Sequence, residues 1–288
     1  MTVFGAIETG GTKILARLFD DAGTTRAEGR WDTHDGQRAG DDLIPFLGQH
    51  GTPVALGMAA FGPIDVDPAS PTYGQLGATP KPGWAGVNVA RRLADHFACP
   101  IAVDTDVNAA ALSEAVLGAG RGCDPLCYVT VGTGIGGGLY HAGRTYRGVT
   151  HPEVGHILIQ RGDGDAVESA CTYHSHCAEG LASGPAVRRR LAGRELADAP
   201  DIAAQTADYI AQLLVSLTLA WSPRRIVMGG GVMTAEDMLE KVTAAFATKL
   251  GGYGVGDTAL RAGYIVAAEL ENAGLEGAAI MARKLLAR

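Results

Sequence analysis

Three kinds of residue in this 288-residue chain are spaced for chemistry: glycine turns, a pair of aspartates and a Cys/His cluster. Gly10, Gly11 and Thr12, followed by Lys13, sit between two apolar runs. Gly132, Thr133, Gly134, Gly136 and Gly137 hold the same kind of position further on, and Gly229, Gly230 and Gly231 end a third apolar run. Backbone N–H groups in a tight turn converge on an anion, and glycine lets a phosphate approach them closely. One such turn is most often an ordinary hairpin or cap. Three of them, each at the end of an apolar run, point together to a nucleotide. Gly132, Gly134 and Gly137 also satisfy the dinucleotide fingerprint G-x-G-x-x-G, but that motif must open a helix. Here it runs into GLYHAGRTYRG, which reads as a strand and turn, so a hairpin is expected and a dehydrogenase is disfavoured. The Walker pattern G-x-x-x-x-G-K-[ST] is absent.

The aspartates lie in IAVDTDVN, residues 101–108. A strand ending near Asp104 and a helix starting near Asp106 place a carboxylate at the carboxyl end of a strand, where α/β sheets bind ligands. Such a group can act as a base toward an attacking hydroxyl. The competing reading is that Asp104 or Asp106 simply caps the helix. Cys171, His174 and Cys177 form C-x2-H-x2-C, with His156 upstream. Four Cys and His ligands in tetrahedral array are what a structural zinc takes; the alternative is a polar loop with incidental cysteines, and His176 can stand in for His174.

The elements that must position these groups alternate. Apolar runs at 3–7, 14–19, 54–58 and 101–104 predict strands, with 25–31 a further one, while 41–49, 87–98 and 108–117 predict helices. The second half repeats the opening: a strand at 127–131, a glycine turn, and a strand beginning at Leu139 and Tyr140. This suggests an internal duplication. Beyond residue 200 the pattern is mostly helical, with an apolar helix at 206–221, strands at 225–228 and 264–267, and a final helix from Asn272. The alternation predicts an α/β layer structure.

The bulk composition fits. A hydrophobic fraction of 47% is ample for a core, and the length allows one large domain or two lobes. The net charge of -7, with no long run of Lys or Arg, makes nucleic acid and anionic membrane poor partners. No run approaches about 20 apolar residues, and the chain enters a strand-like run at once, so neither a membrane span nor a signal peptide is expected. Five cysteines are an odd number for a disulfide framework; Cys99 and Cys127 read as core, Cys123 as loop, and the usage predicts a reducing cytoplasm.

Taken together these segments resemble the ROK family (repressors, open reading frames and sugar kinases), from Ile7 to the last helix. The opening ETGGTK resembles its phosphate turn, MAAFGPID its sugar-side loop, DTDVNAAA its catalytic segment and VGTGIGGG its second phosphate turn. HPEVGH and CTYHSHCAEG resemble its sugar and zinc region, IVMGGGV its adenosine-side turn, and NAGLEGAA its closing helix. Glu8, TPKPGW at residues 79–84, and a histidine as middle ligand of the zinc loop resemble the bacterial fructokinase branch more narrowly.

The resemblance implies an actin-like (ribonuclease H-like) two-lobed α/β fold with an interlobe active-site cleft. One lobe would be 1–110, with the C-terminal helix of about 272–288 packing back on it; the other would be 111–271 with the zinc loop. It implies ATP-dependent phosphorylation of a free hexose, D-fructose before glucose, mannose or an N-acetylhexosamine, with Asp106 as the base. Gly62, Thr105, Asp106, Glu153, His156 and Glu179 would contact the sugar. Gly10, Gly11, Thr12, Lys13, Thr133 and Gly134 would meet the phosphates, and Gly230 and Gly231 the adenosine. Zn2+ would be held by His156, Cys171, His174 and Cys177, and Glu8 would reach, through its bound water, the Mg2+ that accompanies ATP. A cytoplasmic homodimer is implied as well. The family's sugar-responsive repressors carry an additional N-terminal helix-turn-helix domain, for which the phosphate turn at Gly10 leaves no room, and the acidic charge argues against DNA.

Overall fold

The computed structural model describes residues 2–287. In chain order the elements are β1 (Val3–Thr9), β2 (Lys13–Asp20), β3 (Thr25–Asp32), α1 (Gly36–Gly48), β4 (Ala55–Ala60), α2 (Val89–Phe97), β5 (Ile101–Thr105) and α3 (Asp106–Val116). There follow β6 (Leu126–Val131), β7 (Ile135–His141), β8 (Arg144–Thr145), α4 (Ala178–Ala182), α5 (Gly184–Leu191) and α6 (Pro200–Trp221). The last are β9 (Arg225–Gly229), α7 (Met238–Leu250), α8 (Gly256–Ala259), β10 (Ile265–Ala267) and α9 (Ala273–Lys284). Arg288, the end of the expected closing helix, lies outside the described residues.

The chain divides into two compact units, each with its own core. Unit 1 is Met1–Ser113, Thr145–His151 and Leu270–Arg288; unit 2 is Glu114–Arg144 and Pro152–Glu269. The boundary expected after residue 110 falls inside α3, and the unit changes instead between Ser113 and Glu114. Thr145–His151, expected in the second lobe, belongs to the first because its side chains bind the buried Asp104: Thr145 Oγ1 donates at 2.6 Å and Arg147 Nη2 at 3.1 Å.

The sheet of unit 1 has the order β3-β2-β1-β4-β5. β1 pairs antiparallel with β2 and parallel with β4, and β4 pairs parallel with β5. The sheet of unit 2 has the order β10-β9-β6-β7-β8, with β6 antiparallel to β7 and parallel to β9. Read from the other edge, the second order repeats the first, a hairpin followed by two parallel strands. The duplication suggested by the glycine turns is thus present in the strand order. β4 is buried along its whole length while β3, at a sheet edge, has no fully buried residue.

Helix α9 packs on unit 1 by close backbone approach. A Cβ on Gly57 in β4 would lie 1.9 Å from the Ala278 carbonyl oxygen, and one on Gly277 would lie 2.0 Å from that of Ala109. Only glycine permits these contacts. In unit 2, α6 is long and apolar enough to cross a membrane by length and composition, but 61% of its most apolar window is buried inside the protein. Ile210, Leu213, Leu214 and Leu217 belong to the unit 2 core with Val129, Ile226 and Phe246.

Candidate active site

In unit 1 the parallel strands β1, β4 and β5 end in register: Thr9 pairs with Ala60, and Ala60 with Thr105. The next residues of the three strands are Gly10, Phe61 and Asp106. Neighbouring strands lie about 4.8 Å apart, so the first glycine turn, the Phe61–Gly62 corner and Asp106 form a row along one carboxyl edge. Phe61 extends that row by donating its N–H to the Thr9 carbonyl at 2.9 Å.

The first turn is closed by Gly10 N–H on the Lys13 carbonyl at 2.9 Å. Thr33, absent from the sequence reading, braces it twice. Its hydroxyl donates to the Gly10 carbonyl at 2.8 Å and its N–H to the Thr12 carbonyl at 3.1 Å. Gly11 and Thr12 are exposed. Lys13 Nζ donates to Asn272 Oδ1 at 3.1 Å, at the residue that begins α9.

Glu8 meets the same helix. Its Oε2 accepts from Leu275 N–H at 2.9 Å, which satisfies an amide that the first turn of α9 leaves open. Burial pushes its carboxyl above the usual range, and the Lys13 charge and the Leu275 amide only partly offset this. Oε1 has no protein donor among the described residues. The protein therefore offers a magnesium ion one carboxylate oxygen here, which fits a hard cation held mainly by phosphates and water.

The two aspartates divide their roles. Asp104 is fully buried and accepts from Thr105 N–H at 2.8 Å, Asn108 Nδ2 at 2.9 Å, Thr145 Oγ1 and Arg147 Nη2. Its valences are taken up by the fold. Neither aspartate caps α3 in the usual way. That position belongs to Thr105, whose Oγ1 accepts from Asn108 N–H at 3.1 Å. Asp106 is the first residue of the helix, half-buried, with Oδ1 accepting from Val107 N–H at 2.9 Å. At the sugar-side loop, Gly62 precedes Pro63 through a cis bond, and His151 Nε2 accepts from Ile64 N–H at 3.1 Å. His151 opens the HPEVGH segment, but its contact with the Ile64 main chain left no local trace in the sequence.

In unit 2 the second turn joins β6 and β7 as a hairpin, with Val131 opposite Ile135. Gly132 N–H donates to the Gly134 carbonyl at 2.9 Å, and the Gly132 carbonyl accepts from Gly184 N–H, at the start of α5, at 2.7 Å. The third turn lies alongside: a Cβ on Gly132 would be 3.9 Å from Gly231 N. Gly230 has φ +92°, and a Cβ there would stand 2.4 Å from the Val131 carbonyl oxygen, so this position demands glycine twice over. Thr133 is exposed beside them.

Ile135 ties the sugar-region residues to this turn. Its N–H donates to Glu179 Oε2 at 2.9 Å, and its carbonyl oxygen would lie 1.9 Å from a Cβ on Gly155. Gly155 belongs to the short helical turn Val154–His156, whose entry is closed by His156 N–H on the Glu153 carbonyl at 3.0 Å. Glu153 is exposed and His156 half-buried.

His156 also joins the Cys/His cluster. Donor atoms of His156, Cys171, His174 and Cys177 all lie within 4.8 Å of one another. Cys171 Sγ is 3.7 Å from Nδ1 of both His156 and His174, and Cys177 Sγ is 3.8 Å from Nδ1 of His156. A tetrahedral zinc with sulfur at about 2.3 Å and nitrogen at about 2.0 Å has S···N edges of roughly 3.5 Å. The donor set and its spacing are compatible with that ion. His176 stands apart, its Nδ1 2.8 Å from Ser175 Oγ. The backbone explains the convergence: Leu158 bridges Cys177, Ile159 N–H donates to the His176 carbonyl at 3.0 Å, and Cys177 precedes α4, which carries Glu179.

Comparison with known proteins agrees with this geometry. The model of the ROK family matches residues 4–285. A fructokinase of Pediococcus pentosaceus is 36% identical over 288 residues, covering 99% of both chains. A fructokinase of Zymomonas mobilis is 40% identical over 250 residues, 83% of each. Among solved structures, a ROK hexokinase from Thermus thermophilus superposes with a TM-score of 0.79 at 28% identity, over 99% of both chains. With paired glycine turns, an aspartate at a strand end and a family match running nearly end to end, the chain belongs to the ROK family, near its fructokinase branch.

Proposed function

We propose that this protein is an ATP-dependent fructokinase that transfers the γ-phosphoryl group to the 6-hydroxyl of D-fructose, with Asp106 as general base. The observation that carries the reading is the row of Gly10, the Phe61–Gly62 corner and Asp106 on one carboxyl edge, with Asp104 committed to the fold. The fructokinases at 36% and 40% identity support the choice of sugar.

Asp106 accepts the proton of the attacking hydroxyl as its oxygen bonds to the γ-phosphorus and the bond to the β-phosphate oxygen breaks. The proton then leaves Asp106 to solvent once the sugar phosphate and ADP depart. In unit 1 the family resemblance assigns Asp106 as the base, the Gly62 corner and Thr105 to the sugar, and Gly10, Gly11, Thr12 and Lys13 to phosphates. In unit 2 it assigns Thr133 and Gly134 to phosphates, Gly230 and Gly231 to adenosine, and Glu153, His156 and Glu179 to sugar hydroxyls. Main-chain amides fixed in the turns stabilise charge building on the phosphate oxygens without rearranging. Magnesium bound with the triphosphate would neutralise that charge further, with Glu8 offered toward it through water. A structural zinc would be held by His156, Cys171, His174 and Cys177 and would fix the loop that leads into Glu179. The family resemblance supports a cytoplasmic homodimer, and the five cysteines, all free, fit a reducing compartment.

A coupled assay of ADP release across fructose, glucose, mannose and N-acetylhexosamines tests the reading. Fructose should give the highest kcat/KM; a protein that turns over none of them removes the proposal, and a clear preference for another hexose moves it to that sugar.

A further inference from the structure

Lys81 is a half-buried cation for which the reaction outlined above has no use. It lies in the segment Thr79-Pro80-Lys81-Pro82-Gly83-Trp84, which follows directly on a ladder made with the sugar-side loop. In that ladder Asp65 N–H donates to the Gln75 carbonyl at 2.9 Å, and Gly77 N–H to the Pro63 carbonyl at 2.8 Å. Trp84 then locks the segment down. It is fully buried, its Nε1 donates to the His34 carbonyl at 2.8 Å, and its ring meets Phe61 edge-on at 4.9 Å. Gly83 N-terminal to it has φ +76°. Its carbonyl accepts from Gly36 N–H at 3.1 Å.

Lys81 Nζ lies over the same Phe61 ring, 5.5 Å from its centroid. Phe61 is the residue whose N–H extends the Thr9–Ala60–Thr105 row, and Gly62 follows it. The ammonium is thereby held over the side chain of a residue whose backbone belongs to the edge that carries Asp106 and the first glycine turn. The two flanking prolines restrict the backbone on either side, so the main chain has little further entropy to lose when the side chain engages a ligand. No carboxylate of the described residues lies within ion-pair distance of Nζ, and burial alone acts on the group, lowering its pKa. A partly desolvated cation with three donors and an aromatic face beneath it has donors left for water or for lone pairs of a ligand.

We propose that Lys81 is a sugar-binding, specificity-determining residue, whose ammonium donates hydrogen bonds to hydroxyl oxygens of the acceptor hexose at the Phe61–Gly62 corner. The proposal rests on the kinase reading, and the experiment separates the two. Lys81→Met and Lys81→Arg are compared with the unaltered protein on the hexose that the unaltered protein phosphorylates best. Loss of a charge-assisted hydrogen bond predicts a rise of about ten- to a hundredfold in the hexose KM for Lys81→Met, with the arginine variant in between. The KM for ATP and the thermal midpoint should stay as they were. An unchanged hexose KM in Lys81→Met overturns the role of Lys81 alone. So does a rise in both KM values together with a fall in the thermal midpoint. An unaltered protein that phosphorylates no hexose overturns the kinase reading and this proposal with it.

Discussion

Asp104 and Asp106 are two residues apart and chemically identical, yet their surroundings assign them opposite work. Asp104 is enclosed by four donors, one of them a guanidinium. Asp104→Ala should therefore destabilise the fold by about 3 kcal/mol, the low end for breaking a buried pair, because Arg147 keeps partial access to water. Chemical denaturation measures this as a lower midpoint. Asp106→Ala should leave the midpoint close to that of the unaltered protein and lower turnover by about 10²-fold or more. Near-normal turnover in that variant would exclude Asp106 as the base. Spacing narrowed the choice to these two residues, and only the family resemblance pointed to Asp106. What sets the two apart in the structure are Thr145 and Arg147, some forty positions from Asp104, and proximity of that kind leaves no local trace. Thr33 escaped for the same reason, since it acts on main-chain atoms.

At the level of elements, pattern was legible where the apolar period was unbroken. The runs at 3–7, 14–19 and 101–104 are β1, β2 and β5, shifted by a residue or two, and 87–98 is α2. α1 begins at Gly36, well before the expected residue 41, because Asp35 accepts from Arg38 N–H and starts the helix in a polar stretch. α4 and α5 follow closely on the cysteine loop and are short, with three arginines in succession in α5, so they show little periodicity. The cysteine loop was legible from spacing alone, and the choice between His174 and His176 was not. It depends on which ring turns toward Cys171. We expect Cys171→Ser to lower zinc content measured by mass spectrometry, and to lower activity in step, because α4 and Glu179 are carried by the same loop. Normal zinc in that variant would remove the metal assignment; normal activity in a zinc-free, folded sample would remove its link to Glu179.

On the scale of the molecule, the two units repeat one strand order, and each holds a buried aspartate against an arginine. Unit 2 contains an almost fully buried Asp165 that Arg190 Nη2 and Tyr209 Oη both reach at 2.7 Å. Burial on its own would push this carboxyl up, but the guanidinium, the phenol and the Val167 amide outweigh it and hold it below the usual range. A carboxylate that is a stronger acid when folded stabilises fully above its unfolded pKa, about 4, and loses that contribution as pH falls through the lower folded value. Asp165→Asn should thus be clearly less stable than the unaltered protein near neutrality, and the gap should close as pH drops below about 4. Thermal melts at a series of pH values measure it, and a gap that stays constant with pH would refute the assignment.

The last feature to consider is that α9, made near the end of the chain, is seated against strands and a helix made near its beginning, with glycine on both sides of the seam. A ribosome has joined every residue of unit 2 before it begins the last segment of unit 1. Until α9 emerges, β1 and β4 keep one face uncovered, including Glu8 and Gly57. The order of synthesis and the order of completion are therefore reversed: the half that starts first is the half that closes last.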